Sequence, residues 1–234
     1  MSKKFKEIYE NSIKNPESFW QEVSNDIFWF KKPTKILNKS NPPFYKWFED
    51  GVTNTCYNAL DIHIDQGRGD KLALIYDSPI TSSKKKFTYS DLKSKVSKFA
   101  GALKNQGVNK GDRIVIYMPM IPEAVIAMLA CGRIGAIHSV VFGGFASNEL
   151  ASRIDDSKAK LLITASCGFE PGKTIEYKPL VDEAIKMTSH KLDRIILFQR
   201  SGHEVKLNTP KELSWEGALS NAKEVDCVEM NSNE

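Results

Sequence analysis

Two short loops carry the residue types in this sequence that are best suited to holding a ligand. One is Phe142-Gly143-Gly144 and the other is Glu170-Pro171-Gly172-Lys173, and each follows an apolar run. Paired glycines let the backbone come close to a ligand or make a tight turn. A lysine ammonium is a good point-charge partner for a phosphate or a carboxylate. Taken alone, each loop is also explained by an ordinary turn, so the surrounding elements must be considered.

From about residue 113 onward, apolar runs alternate with helical patterns. Strands are predicted at 113–118, 137–142, 160–165 and 193–198, and helices at 122–134, 148–157 and 178–189. Such alternation is typical of parallel β–α–β units with right-handed crossovers. The strands are rich in Ile, Val and Leu with little alternation, which predicts that both faces of the sheet are covered. Both loops would then lie at carboxyl ends of strands, where open α/β sheets bind ligands.

The segments on either side of this pattern have a different texture. Residues 1–64 are rich in aromatics and poor in regular periodicity, which predicts a loop-rich, partly helical extension that packs its aromatics onto a larger body. Asn15 is predicted to cap a helix that begins at Pro16. A hairpin is predicted from strands at 72–77 and 86–89, followed by a helix that Thr88 and Asp91 begin as a capping box. The last thirty-odd residues are more polar, and no closing element is predicted there.

Composition excludes several classes of protein. The 234 residues are 41% hydrophobic and 26% charged with a formal net charge of +4, which is ordinary for a globular protein. Lys84-Lys85-Lys86 is too short to indicate nucleic-acid binding and is predicted to be a solvated turn. The N-terminus has no apolar signal region and no window is long enough to span a bilayer, so a protein without membrane segments is predicted. The four separated cysteines fit a reducing, cytoplasmic location.

Familiar catalytic patterns are not met. The sequence has no GxGxxG fingerprint, no phosphate-binding GxxxxGKS loop and no Ser-His-Asp or Cys-His set that its spacing brings together. No pair of neighbouring cysteines suggests a metal site. His138 lies in an apolar strand and is interpreted as a core residue, and Cys131 is interpreted as a small core residue in a buried helix.

Longer runs resemble the short-chain acyl-CoA synthetases, the propionate and acetate ligases of the AMP-forming, adenylate-forming superfamily. The similarity is carried by YMPMIPE at 117–123, AMLACGRIGAIHS at 127–139 and VFGGF at 141–145, with FYKWF at 44–48 and NTCYNALD at 54–61. FKKPTK at 30–35 and EPGKTIEY at 170–177 look most like the propionate-type ligases. The resemblance implies an extension at 1–64 of the acetyl-CoA synthetase type and, at 65–234, the first part of an AMP-dependent ligase domain.

The resemblance also implies a reaction and a set of contacts. In the family, a carboxylate attacks the α-phosphate of ATP to give acyl-AMP and pyrophosphate, and the thiol of coenzyme A then attacks the acyl carbon and releases AMP; Mg²⁺ assists. Both loops are expected along coenzyme A, with Lys173 near its 3′-phosphate. Glu170 departs from the arginine found at that position in many acetate ligases, so a two-arginine clamp is not expected. The expected contacts are Phe142, Gly143, Gly144, Glu170, Pro171, Gly172 and Lys173.

The resemblance implies that the phosphate loop, the acyl pocket and the adenylation residues lie beyond Glu234. No catalytic residue and no metal ligand is therefore expected in these residues, and the chain alone is expected to be inactive. Three alternatives stay open: an acetate ligase with the same mechanism, a non-catalytic truncated module that binds coenzyme A or a partner, and a flavodoxin-like or dinucleotide-binding protein. The missing glycine fingerprint and the aromatic extension weaken the last.

Overall fold

The computed structural model describes residues 3–234. The α-helices are α1 (Lys3–Lys14), α2 (Pro16–Val23), α3 (Ile62–Asp65), α4 (Tyr89–Asn105), α5 (Pro122–Arg133), α6 (Ser147–Ser157), α7 (Tyr177–Met187) and α8 (Trp215–Leu219). The strands are β1 (Leu37–Asn38), β2 (Lys46–Trp47), β3 (Val52–Thr53), β4 (Leu72–Ser78), β5 (Ser83–Thr88), β6 (Arg113–Met118), β7 (Ile137–Phe142), β8 (Leu161–Ala165), β9 (Cys167–Glu170), β10 (Lys173–Glu176), β11 (Arg194–Phe198), β12 (Glu212–Ser214) and β13 (Met230–Asn231). A 3₁₀ turn spans Ser24–Asp26, and a π-helical stretch spans Tyr57–Asp61.

A parallel sheet positions both candidate loops. Within residues 3–234 its strand order is β12-β11-β8-β6-β7, and every neighbouring pair is parallel. The predicted α/β fold with a mostly parallel sheet and flanking helices is confirmed, and the predicted strands form four of the five strands. The fifth, β12, was not expected because it is short and lies in a polar stretch, where apolar periodicity gives no signal.

The helices begin where the sequence indicates. Helix α4 starts with the predicted capping box, in which the Asp91 amide donates to Thr88 Oγ1 at 3.1 Å and the Thr88 amide donates to Asp91 Oδ2 at 3.0 Å. Helix α5 begins at Pro122, which has no amide hydrogen to leave unpaired there. Helices α4 and α5 pack together over the sheet, and the core between them includes Phe99 and Cys131, both fully buried.

Strand β7 does not match the prediction that both faces of the sheet are covered. It is an edge strand that pairs only with β6 among the described residues, and Ile137, Val140 and Phe142 are exposed. The interpretation of His138 as a core residue is wrong for the same reason, because its side chain lies on this exposed strand. An apolar run predicts a strand, but the position of that strand in the sheet depends on the order of the crossovers.

The N-terminal region packs largely on itself. Trp29 and Phe48 have ring centroids 5.6 Å apart, and Phe28 and Tyr57 have centroids 4.6 Å apart, whereas Phe44 is exposed. The expectation that the aromatics pack onto the larger body is therefore wrong for much of this set. Helix α2 begins at Pro16 as predicted, but the Asn15 side chain does not cap it and instead donates to Asn11 Oδ1 at 3.0 Å.

A buried ion pair joins the N-terminal region to the sheet layer. Arg133, at the end of α5, donates to both carboxylate oxygens of Asp61 at 2.7 and 3.0 Å. The Asp61 carboxylate also lies 3.6 Å from Lys93 Nζ on α4. Arg133 Nε donates to the Val225 carbonyl at 2.6 Å, so the same side chain also contacts the C-terminal segment.

The C-terminal segment has closing elements that were not predicted. After α8, the chain runs back across α4 and α5, and β13 pairs antiparallel with β3. Asn54 Nδ2 donates to the Val228 carbonyl at 2.8 Å, next to that pairing. Polar sequence does not show periodicity when a segment is held by backbone hydrogen bonds instead of apolar packing.

The β4–β5 hairpin is confirmed with one correction. Lys84, Lys85 and Lys86 are solvent-exposed as expected, but they lie within β5 and not in a turn, which Pro79–Ser82 provides instead. None of the helices in residues 3–234 combines the length and apolar content that a bilayer crossing requires.

Candidate functional site

A cleft of about 330 Å³ lies at the carboxyl edge of the sheet. Its walls come from the ends of β6 and β7, the β9–β10 hairpin, Arg200 after β11, and the β4–β5 hairpin. Its volume is at the small end of the range for ligand pockets, and its position is the one expected for ligands in open parallel sheets. The lining residues are Tyr76, Asp77, Ser78, Pro79, Met118, Pro119, Met120, Ile121, Val140, Val141, Phe142, Gly143, Gly168, Phe169, Glu170, Ile175, Tyr177 and Arg200.

Gly143 allows a close approach between two parts of the cleft. A methyl group added there would lie 2.3 Å from Tyr177 Oη and 2.9 Å from the Met118 carbonyl oxygen. A methyl group added to Gly168 would lie 2.7 Å from the same hydroxyl. The two glycines therefore make room for the buried Tyr177 ring, which lies 4.8 Å from the ring of Tyr117.

Gly144 turns the chain away from the sheet. Its φ of +103° is a conformation that side chains with a Cβ rarely adopt. A Cβ at this position would lie 3.6 Å from Ile175 Cδ1 and 4.0 Å from Glu170 Oε1. The structure therefore brings the two predicted loops side by side.

The second loop is the turn of a β-hairpin. Glu170 and Lys173 are paired across β9 and β10, with Pro171 and Gly172 at the tip. The Lys173 ammonium lies 3.0 Å from Glu170 Oε2, and the Lys173 side chain is 64% exposed. Glu170 lines the cleft, whereas Pro171, Gly172 and Lys173 stand outside its described lining. Without a ligand contact, the sequence predicts an ordinary turn between a strand and a helix here. The structure instead has β9 and β10 between β8 and α7, so the loop is the turn of a hairpin.

Arg200 is a cation of the cleft that the sequence analysis missed. Its guanidinium lies 4.7 Å from the centroid of the Phe169 ring, and the residue is 9% exposed. The Arg200 amide donates to Ser166 Oγ at 2.8 Å, which fixes the backbone after β11. The sequence does carry a signal for it, because Gln199-Arg200-Ser201-Gly202 follows a predicted strand in the same way as the two candidate loops.

The two tyrosines of the cleft are kept neutral. Tyr117 Oη donates to the Phe145 carbonyl at 2.7 Å and so holds the loop that follows Gly144. Burial raises the pKa of Tyr117, and burial together with Tyr117 and Glu170 raises the pKa of Tyr177 to about 12. Both phenols are therefore hydrogen-bond donors at neutral pH.

A larger cleft, of about 670 Å³, lies at the opposite edge of the sheet. It is formed by the end of α7 and by the residues that lead into β11 and β12, including His190, Lys191 and Lys211. Because ligands of such sheets bind at the carboxyl ends of the strands, the smaller cleft is the candidate site.

Comparison with known proteins identifies the family. The AMP-binding enzyme family matches residues 63–230, and the acetyl-coenzyme A synthetase N-terminus matches residues 5–59. The chain belongs to the AMP-binding enzyme family. These matches confirm the resemblance to the short-chain acyl-CoA synthetases that the sequence motifs indicate.

Named relatives agree with this assignment. The chain is 50% identical over 225 residues to acyl-CoA synthetase short-chain family member 3, mitochondrial, from Rattus norvegicus, covering 96% of this chain and 33% of that protein. It is 46% identical over 209 residues to acetyl-coenzyme A synthetase from Streptomyces coelicolor, covering 89% and 32%. The chain therefore spans about a third of the length of the curated relatives that it matches.

A solved structure supports the fold. Acetoacetyl-CoA synthetase from Streptomyces lividans superposes with a TM-score of 0.84 at 24% identity, over 95% of this chain and 34% of that one. At this identity the likeness supports the α/β fold alone.

Proposed function

We propose that the intact protein is an AMP-forming ligase that converts a short carboxylic acid, ATP and coenzyme A into an acyl-CoA, AMP and pyrophosphate. The family match to residues 63–230 supports the activation of a carboxylate by ATP. The named relatives, which are acyl- and acetyl-CoA synthetases, support coenzyme A as the acceptor. The observation that carries the proposal for this chain is the cleft where the Gly-Gly loop, the β9–β10 hairpin and Arg200 meet.

In this proposal the cleft holds part of coenzyme A. Backbone at Gly143 and Gly144 can approach a ligand closely, and the exposed Phe142 ring offers an apolar surface beside it. Two cations are near this hairpin: Arg200 lies against the Phe169 ring, and Lys173 pairs with Glu170 next to the hairpin tip. Lys173 would exchange its contact with Glu170 for a phosphate group of the ligand, since an exposed ion pair is weak.

Mg²⁺ has no assigned place among these residues. The carboxylates in the described lining of the cleft are Asp77 and Glu170. Lys84 Nζ lies 2.6 Å from Asp77, and Lys173 Nζ lies 3.0 Å from Glu170. Because each carboxylate is already paired with a lysine, these two carboxylates do not fit a divalent cation.

Three finer assignments are part of the proposal. Propionate is favoured over acetate because of the resemblance at 30–35 and 170–177. The boundary between the extension and the ligase domain is placed at residue 64, within the helical segment that runs through α3. A cytoplasmic location is kept as a prediction for fractionation to test, since the rat relative carries a mitochondrial name.

Calorimetry on the intact protein tests the contact with coenzyme A. We expect 3′-dephospho-coenzyme A to bind about tenfold or more weakly than coenzyme A, because it lacks a charged group that Lys173 would meet. Lys173→Ala should remove that difference, while Lys104→Ala, on the exposed side of α4, should leave it unchanged. Equal affinities for the two ligands would contradict the assignment of Lys173.

An exchange assay tests the reaction itself. Propionate-dependent incorporation of labelled pyrophosphate into ATP would support the ligase. If acetate supports faster incorporation than propionate, acetate is the preferred substrate. Binding of coenzyme A without any carboxylate-dependent exchange would favour the non-catalytic module.

A further inference from the structure

Two thiols from distant parts of the sequence meet beside the buried ion pair. Cys56 precedes the π-helical stretch and is 1% exposed, and Cys227 is half-buried in the C-terminal segment. Their sulfurs and a carboxylate oxygen of Asp61 all lie within 4.8 Å of one another. This group lies apart from the cleft at the carboxyl edge of the sheet, and the proposed ligase reaction does not use it.

The backbone beside each thiol is held by a single side chain. Asn54, which is buried, accepts a hydrogen bond from the Cys56 amide at 2.8 Å through Oδ1. Its Nδ2 donates to the Val228 carbonyl at 2.8 Å, directly after Cys227. The Val228 amide donates to the Arg133 carbonyl at 2.9 Å. The two cysteines are thus kept next to each other by fixed backbone on both sides.

Arg133 makes the site suited to thiolate chemistry. Its Nη1 lies 3.1 Å from Cys227 Sγ and 3.7 Å from Cys56 Sγ. Hydrogen bonding from Cys227 and the nearby guanidinium lower the pKa of Cys56, whereas the hydrogen bond to Cys56 and burial raise the pKa of Cys227. A cation beside a thiolate stabilises it, and the thiolate is the reactive form of cysteine.

The same arginine disfavours a metal ion at this place. Arg133 Nη1 is 2.7 Å from Asp61 Oδ2, so the guanidinium stands among the three groups that would have to bind the metal. A divalent cation there would have to displace or face this positive charge. Thiol oxidation needs no such displacement.

We propose that Cys56 and Cys227 form a reversible disulfide that fastens the C-terminal segment to the body of the protein. With a small-molecule disulfide as oxidant, the half-buried Cys227 attacks one of its sulfurs, the Cys227 proton passes by way of the neighbouring Cys56 thiolate to the first small thiolate, and that small thiol leaves. The Cys56 thiolate then attacks Cys227 Sγ in this mixed disulfide, and the second small thiolate leaves. The two protons lost by the cysteines go to the leaving thiolates, so two protein thiols are oxidised and one small disulfide is reduced to two thiols.

The bond would act on a defined part of the molecule. The segment from Val225 to Asn231 is otherwise held by hydrogen bonds to Ser97, Asn54 and Arg133 and by the β13–β3 pairing. A covalent link at Cys227 would restrict its local opening. Forming the link requires the sulfurs to approach to about 2 Å, which side-chain rotation must provide while the backbone stays in place.

Peptide mapping of the intact protein tests the proposal. The reduced protein is incubated with oxidised glutathione, its remaining thiols are alkylated, and it is digested without reductant. We expect one linked peptide pair that contains Cys56 and Cys227 and disappears on treatment with dithiothreitol. Hydrogen exchange at residues 225–231 should slow by about tenfold on oxidation and recover on reduction.

Two variants separate the roles of the thiols. Cys56→Ser should leave Cys227 trapped as a mixed disulfide with glutathione, and Cys227→Ser should leave the buried Cys56 reduced. Cys131→Ala is the matched control. Cys131 lies outside the pair, and burial raises its pKa to about 12, so it should not react with glutathione, and its removal should leave the linked pair unchanged. Glutathione retained on Cys227 without any linked peptide in the unsubstituted protein would overturn the proposal. So would one equivalent of tightly held zinc that is lost in Cys56→Ser.

Discussion

The buried cluster around Arg133 and the cleft at the carboxyl edge of the sheet use polar residues in opposite ways. The Arg133 side chain is 1% exposed, and its nitrogens contact Asp61, the Val225 carbonyl and both thiols. At the cleft, Glu170 forms a solvated pair with Lys173, which stands outside the lining, and the Arg200 guanidinium lies against the Phe169 ring. The first arrangement holds segments together, whereas the second leaves charges that a ligand can recruit.

The largest expected effect comes from breaking the buried pair. Arg133→Met should lower the free energy of unfolding by about 3–5 kcal/mol, because it leaves the Asp61 carboxylate buried with only Lys93 nearby. Urea denaturation measures this change. The double variant Arg133→Met with Asp61→Leu should recover a substantial part of the loss. A loss below about 1 kcal/mol for the single variant would remove the contrast between the two regions.

A change at the floor of the cleft should have the next largest effect. Gly143→Ala places a methyl group 2.3 Å from Tyr177 Oη, so we expect it to lower stability by about 1–3 kcal/mol through overpacking. Gly132→Ala, where a Cβ would have its nearest neighbour 4.0 Å away, is the control and should be neutral or slightly stabilising. Equal losses in both variants would show that helix and loop backbone, and not the Tyr177 contact, set the cost.

Alkaline titration should expose the burial of Tyr177. Its folded pKa of about 12 lies above the ordinary value of 10, so the unfolded chain loses the proton first. The corresponding stabilisation is fully present below pH 10 and is lost as the pH rises toward 12. Unfolding monitored between these values should be less steep in pH for Tyr177→Phe, and an unchanged pH dependence would contradict the assignment.

The smallest stability effect is expected at the exposed pair. Glu170→Gln should change the free energy of unfolding by less than about 1 kcal/mol, because the pair is solvated. The same change should strengthen binding of coenzyme A severalfold by releasing Lys173 and removing a negative charge from the cleft. Calorimetry and denaturation on one preparation measure both. A weaker affinity would indicate that Glu170 itself serves the ligand.

Local patterns predicted most of the sheet layer but not its arrangement. The runs around 113–118 and 137–142 have similar composition, yet one becomes a central strand and the other an edge, because strand order depends on contacts between distant segments. Both candidate loops were predicted at carboxyl ends of strands, and the structure brings them side by side because parallel strands end at a common edge. Arg200 follows the same rule, since it comes just after β11, but a single arginine after a strand is not distinguishable in the sequence from a solvated surface cation.

The buried cluster could not be predicted by such rules. Asp61, Arg133 and Cys227 lie in three separate segments, although they are in contact in the structure. The sequence around each is equally typical of a surface residue or a core residue. Only the closing of the C-terminal segment over α5 brings them together. A site at one edge of a parallel sheet can therefore be predicted from sequence, whereas a site formed by contacts between distant segments cannot.

The pairing of β13 with β3 has a consequence for synthesis. Residues 52–53 leave the ribosome long before residues 230–231, with which they pair, and until then Val52 has Lys31 as its backbone partner. The hydrogen bond from Asn54 Nδ2 to the Val228 carbonyl likewise forms only after Val228 has been synthesised. Contacts between such distant segments form late because of the chain entropy lost in closing the intervening loop. We therefore expect the β13–β3 pairing to form after the strands of the parallel sheet, which pair over shorter sequence separations.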